Sequence, residues 1–220
     1  NEEGEVDGKA IRGVNIIRLG QQLSEINGVI IVICHLIVWI VGAIKVVVRS
    51  TFTAETHGVI TGADHSMCIA LTFHEIECGP VSLAAAMNLT EYSGLSFSVL
   101  CVTDARNLLL ILRNVNMKNP AEKNFIVHLL WLKNKLENGV IKKLIWTDTR
   151  DMTADGHTKG SIRRTAIHAL MNGSMSIQHK REELILYNPR ARLTQAPTVF
   201  LTYLVAPAKP RNWTSPNVLT

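Results

Sequence analysis

Three carboxylates fall at places where a fold could bring them to a common task. Glu55 lies in the first turn of a helical stretch beginning near Phe52, Asp104 ends the strand-like run LSFSVLCVT, and Asp155 precedes Gly156 ahead of a late helix. Acidic groups from a helix start, a strand end and a late helix can converge as an oxygen cage for Mg²⁺ or Mn²⁺. Ions held that way activate water and stabilise the leaving oxygen in phosphodiester cleavage. Each residue also has a plainer reading. Glu55 suits the positive end of its helix, Asp104 suits the N-cap of ARNLLL, and Asp155-Gly156 suits a simple turn. Other chemical signatures are missing: the chain has no glycine-rich phosphate loop, GxSxG, HExxH or CxxC. His57, His65 and His74 share one helical stretch, but no two of them stand four apart, the spacing that aims two imidazoles at one metal.

The elements that must position these residues follow an α/β order. Residues 29–48, VIIVICHLIVWIVGAIKVVV, are apolar enough for a membrane helix. Val and Ile dominate the run, however, and favour strands, so it reads as two buried strands turning at Cys34-His35. Phe52, Val59, Ala63 and Ala70, with Ile60, Met67 and Leu71 beside them, form one stripe of an amphipathic helix over 50–77, ended by Gly79-Pro80. A strand over 95–103 follows, then a short helix after Asp104, and a long helix over 121–137 closed by Asn138-Gly139. KKLIWT is the last strand, and DTRDMTADGHTKGSIRRTAIHALMNG turns into helices. Strands alternating with helices in this way predict helices packed on a mixed sheet. Five of the seven prolines lie at or beyond Pro189, which predicts a poorly ordered end.

Composition sets the outer limits. The 220 residues are 47% hydrophobic and 19% charged, which fits a globular chain and excludes wholesale disorder. Cys34, Cys68, Cys78 and Cys101 are too sparse for a disulfide scaffold and suit a reducing, intracellular compartment, cytoplasmic or nuclear. The net charge is +5, and from Lys159 onward nine Lys or Arg face only Glu182 and Glu183. That imbalance suits a polyanion, or simply a solubilising tail. With no initiator Met and an acidic opening, the chain reads as a piece of a longer product.

Three segments in register carry a resemblance. Ser50-Thr51-Phe52-Thr53-Ala54-Glu55, then Val102-Thr103-Asp104, then Met152-Thr153-Ala154-Asp155-Gly156-His157-Thr158-Lys159 resemble the motifs of the ribonuclease H domain that ends the Pol polyprotein of Ty1/copia-type retrotransposons. The likeness runs over roughly residues 27–172. It implies an RNase H-like fold over that span, preceded by a poorly matching segment 1–26 left from the first strand. A basic, proline-containing tail, 173–220, would follow. It further implies metal-dependent hydrolysis of the RNA strand of an RNA–DNA hybrid during reverse transcription, with Glu55, Asp104 and Asp155 as catalytic metal ligands. Lys159, Arg163 and Arg164 would hold phosphate, and the reverse transcriptase of the same polyprotein would be a partner.

The sequence departs from the family at its first carboxylate. The window where the family carries that residue reads Gly13-Val14-Asn15 here, with no acid. An amide cannot supply the negative charge that holds two Mg²⁺ close together, so the resemblance implies a degenerate copy. Two other readings stand beside hydrolysis: a non-catalytic relic of the fold that binds nucleic acid or protein, and a single-pass membrane protein spanning 29–48.

Overall fold

The computed structural model describes residues 10–26, 29–45, 50–114, 125–158, 165–187 and 198–205. A seven-stranded mixed sheet carries helices on it, in the order β5-β2-β1-β7-β3-β4-β6. In chain order the elements are β1 (Ile11–Ile26), β2 (Val29–Ala43), α1 (Thr51–Cys78), α2 (Leu83–Tyr92), β3 (Phe97–Thr103), α3 (Arg106–Arg113), α4 (Ile126–Glu137) and β4 (Ile141–Thr147). A 3-10 turn (Thr149–Asp151) then leads to α5 (Asp155–Thr158), α6 (Thr165–Met171), β5 (Ser174–Ile177), β6 (Arg181–Leu184) and β7 (Thr198–Val205).

The apolar run after Val29 is a strand, as its β-branched content requires, but it does not turn at Cys34-His35. It runs unbroken through β2 and pairs antiparallel with β1, Ile26 opposite Val29 and Ile11 opposite Ala43. Cys34 is fully buried opposite Leu19, and its N–H donates to the Gly173 carbonyl at 3.0 Å, so the backbone there is occupied in the sheet. Asn27-Gly28, the dipeptide type that most strongly signals a hairpin, separates the two strands. No described helix is long and apolar enough to cross a membrane, and residues 29–43 are a strand. The single-pass helix over 29–48 is therefore not formed.

Helix α1 starts where its cap dictates. The Ser50 hydroxyl accepts the Thr53 N–H at 3.1 Å, and Gly79, at φ +91°, ends the helix. Its buried stripe, Val59, Ala63, Met67 and Ala70, packs in one cluster with Val14, Ile16, Val99, Cys101 and Leu144 of the sheet and with Leu108, Leu112, Leu129 and Leu132 of α3 and α4. Each of those fully buried leucines contributes roughly 2 kcal/mol by leaving water. A second cluster, Ile17, Cys34, Val102, Met152, Ala154, Leu170 and Met175, lies on the other face with α6. Cys101 and Val102 sit in different clusters because successive strand side chains point to opposite faces.

Both segments that flank 27–172 contribute strands to the sheet. Segment 1–26 supplies β1, a 16-residue strand. Within 173–220 the described residues form β5, β6 and β7, the remainder lying outside the described residues, and β7 lies in the middle of the sheet, antiparallel to β1 and parallel to β3. Its sequence, TVFLTYLV, is rich in β-formers, and the surrounding prolines concealed it. Among the described strands β7 alone joins β1 to β3.

Candidate functional site

Adjacent parallel strands β3 and β4 end side by side, Thr103 opposite Trp146. Thr103 is also level with Leu204 of β7, and Val205 with Gly13 of β1. The carboxyl end of the parallel strands, where open α/β sheets place their sites, therefore gathers Asp104, the β4–α5 turn and the start of β1. The first turn of α1 reaches the same end, since Ala54 packs with Ala10 and Ile44. Glu55, Asp104 and Asp155 thus share one end of the sheet.

Their surroundings differ. Asp104 is not the N-cap of α3; that position belongs to Ala105, with no side-chain cap bond. Asp104 instead ties strand end to turn: its Oδ2 accepts the Thr149 hydroxyl at 3.3 Å, and its backbone carbonyl accepts the Trp146 indole N–H at 3.0 Å. Asp155 opens α5 and is fully buried. Glu55 is half-buried on α1, which packs on the face opposite α6. Lys159, Arg163 and Arg164 lie outside the described residues.

Asn15 is fully buried on β1. Its amide donates to the Thr153 hydroxyl at 3.2 Å, and its carbonyl oxygen lies 2.8 Å from Nε2 of His157. Both of its polar atoms are therefore committed to the α5 segment. Its strand is not the neighbour of β3: Asn15 is level with Tyr203, and Tyr203 with Val102. Two strand spacings, roughly 10 Å, separate Asn15 from the β3 backbone. The intervening strand, β7, contains no acid.

Thr149, Arg150, Met152, Thr153, Gly156 and Ile167 are among the residues lining a cleft of about 370 Å³ beside this cluster. Arg150 is held at its edge by Asp148 through contacts of 2.8 Å to both carboxylate oxygens. These bonds keep the Asp148 carboxyl well below the usual carboxylate range and raise the guanidinium of Arg150. An aspartate passed over in the sequence secures the whole turn. Asp151 accepts the backbone N–H groups of Gln178 (3.2 Å) and His179 (2.8 Å), and the His179 ring lies 2.9 Å away. Nothing local in TRDMT signals those partners, which come from the β5–β6 connection.

The donor set does not fit the pair of divalent ions that the resemblance implies. Among the described residues, no group of three or more His, Cys, Asp or Glu side chains is placed to hold a metal ion. Sharing a sheet end has not made a cage of Glu55, Asp104 and Asp155. Compared with family models, curated proteins and solved structures, the chain matches none.

Proposed function

We propose that this chain is an RNase H-like domain of Ty1/copia retrotransposon type that binds RNA–DNA hybrid as a non-catalytic relic. The observation that carries this reading is the position of its motifs on the sheet. Asp104 follows β3, Asp155 opens the helix that comes after the parallel neighbour β4, and the Ser50-capped helix bearing Glu55 starts at that same end. The element order agrees with the resemblance as well: a capped helix, a strand ending in Asp, a helix closing at Asn138-Gly139, a strand, and the Ala154-Asp155 motif.

Hydrolysis is the family's activity, and the chemistry of this site argues against it here. Two divalent ions need several bridging carboxylates. Here the strand beside Asp104 carries no acid, and Asn15 is engaged with Thr153 and His157. Binding by shape and backbone charge requires no such cage.

The test pairs cleavage with binding. A labelled RNA–DNA hybrid is incubated with the protein in Mg²⁺ and then in Mn²⁺, and binding is followed by fluorescence anisotropy. The expected result is binding in preference to duplex DNA, with no metal-dependent cutting. Cutting that Glu55→Gln and Asp104→Asn both abolish would overturn the non-catalytic reading. Absence of hybrid binding would overturn the nucleic-acid reading itself.

A further inference from the structure

Strand β6 extends the sheet beyond β4, and together with α3 it builds a charge arrangement that the described residues do not balance. Glu182, with a side chain only 16% exposed, is the focus of three cations: Arg106 at 2.7 Å, Lys180 at 3.8 Å and Arg113 at 3.9 Å. One carboxylate thus holds three positive side chains in one place, and each of the three remains largely open to solvent. Arg113 is fixed further by a 3.1 Å bond to the Glu183 carbonyl, and the Arg106 guanidinium lies 5.4 Å over the Trp146 ring.

The surplus extends along the sheet edge. Lys142 lies over the Tyr187 ring at 4.8 Å, whereas the exposed Arg181 and the Lys143–Glu183 pair, 2.8 Å apart, point to the opposite face from Glu182. On the face that bears Glu182, Arg106, Arg113 and Lys180 therefore meet a single carboxylate. Like charges gathered in this way repel one another unless an anion joins them. A guanidinium that forks over a half-buried indole, as Arg106 does over Trp146, suits phosphate oxygens and an adjacent base.

We propose that Arg106, Arg113 and Lys180, organised around Glu182, form a phosphodiester-binding cluster through which the β4–β6 edge tracks a nucleic-acid backbone. The choice of nucleic acid as the polyanion rests on the function proposed above; the cluster itself rests on its own geometry. Because Arg106 also touches Trp146, whose indole holds the Asp104 carbonyl, the cluster continues directly into the sheet end that carries the candidate site.

Binding of a labelled RNA–DNA hybrid, measured by anisotropy across a salt series, tests the cluster. The Arg113→Gln, Lys180→Gln double variant leaves Arg106 to hold Glu182, and unchanged thermal unfolding verifies its fold. Lys45→Gln, at an exposed position just after β2 on the other side of the sheet, is the control. Loss of two phosphate contacts lowers the slope of log affinity against log salt by about 1.8, and affinity at about 0.1 M salt by roughly tenfold or more. The control is expected to match the wild type. A double variant that binds like the wild type, with the same slope, would overturn the cluster and leave the nucleic-acid reading standing. An equal loss in Lys45→Gln would show a general effect of net charge and also overturn it. A wild type that binds no hybrid would overturn both proposals.

Discussion

Asp151→Ala is expected to be among the most damaging single substitutions near the candidate site. The side chain is 5% exposed and accepts two backbone N–H groups besides facing the His179 ring. Bonds to a charged acceptor each contribute about 1.5–3 kcal/mol, and truncation leaves the donors at Gln178 and His179 without that acceptor. The ring is 28% exposed and recovers water, so its share is discounted. Removing the carboxylate also relieves the cost of burying it. The net loss is about 3 kcal/mol, which for a chain of this size lowers the thermal midpoint by roughly 7 °C. Asp151→Asn retains one acceptor oxygen but turns its NH₂ toward donors, and about 2 kcal/mol is expected. Urea denaturation followed by tryptophan fluorescence measures both variants, with an unchanged m-value as the sign that only stability has moved. Hydrogen exchange adds a local readout, because the amides of Gln178 and His179 should lose protection ahead of the core strands. A loss under about 1 kcal/mol for Asp151→Ala, with those amides still protected, would refute the clamp.

Three further outcomes follow from burial and backbone geometry. Gly139 has φ +71°, and a Cβ there would run into the Tyr187 ring, so Gly139→Ala should cost about 1–2 kcal/mol in the same urea assay. Burial pushes the Cys34 thiol up to about 11 and Cys101 up to about 12, whereas Cys68 and Cys78 are exposed. A colorimetric thiol reagent should therefore titrate two cysteines quickly in the native protein and four after unfolding. The unfolded thiols ionise near 9.0 while the two buried ones stay protonated. The unfolded state thus binds fewer protons above pH 9.0, and stability falls as pH rises from there toward 11.

Local signals were legible wherever they depend on a few neighbouring residues. The β-branched run after Val29 specified strand over helix, Ser50 and Gly79 bounded α1, and Asn138-Gly139 closed α4. The stripe through Val59, Ala63, Met67 and Ala70 pointed α1 at the core. The motif positions also indicated that Glu55, Asp104 and Asp155 belong to element ends. One local signal was passed over: Asn27-Gly28 marks the hairpin better than Cys34-His35 does.

What depends on distant partners was decided only by tertiary structure. Strand β7 reads as a short apolar stretch among prolines, and nothing within it specifies insertion between β1 and β3, strands about a hundred residues and more away. Asp104 looks like a helix cap in sequence, yet Thr149 and Trp146 engage it. Asp151 acquires its importance from Gln178 and His179, and Glu182 from Arg106 and Arg113. A helix cap or a side-chain period is determined within a turn or two of chain, so sequence alone conveys it. Strand neighbours and converging charges depend on which surfaces bury each other, and only the folded sheet makes that choice.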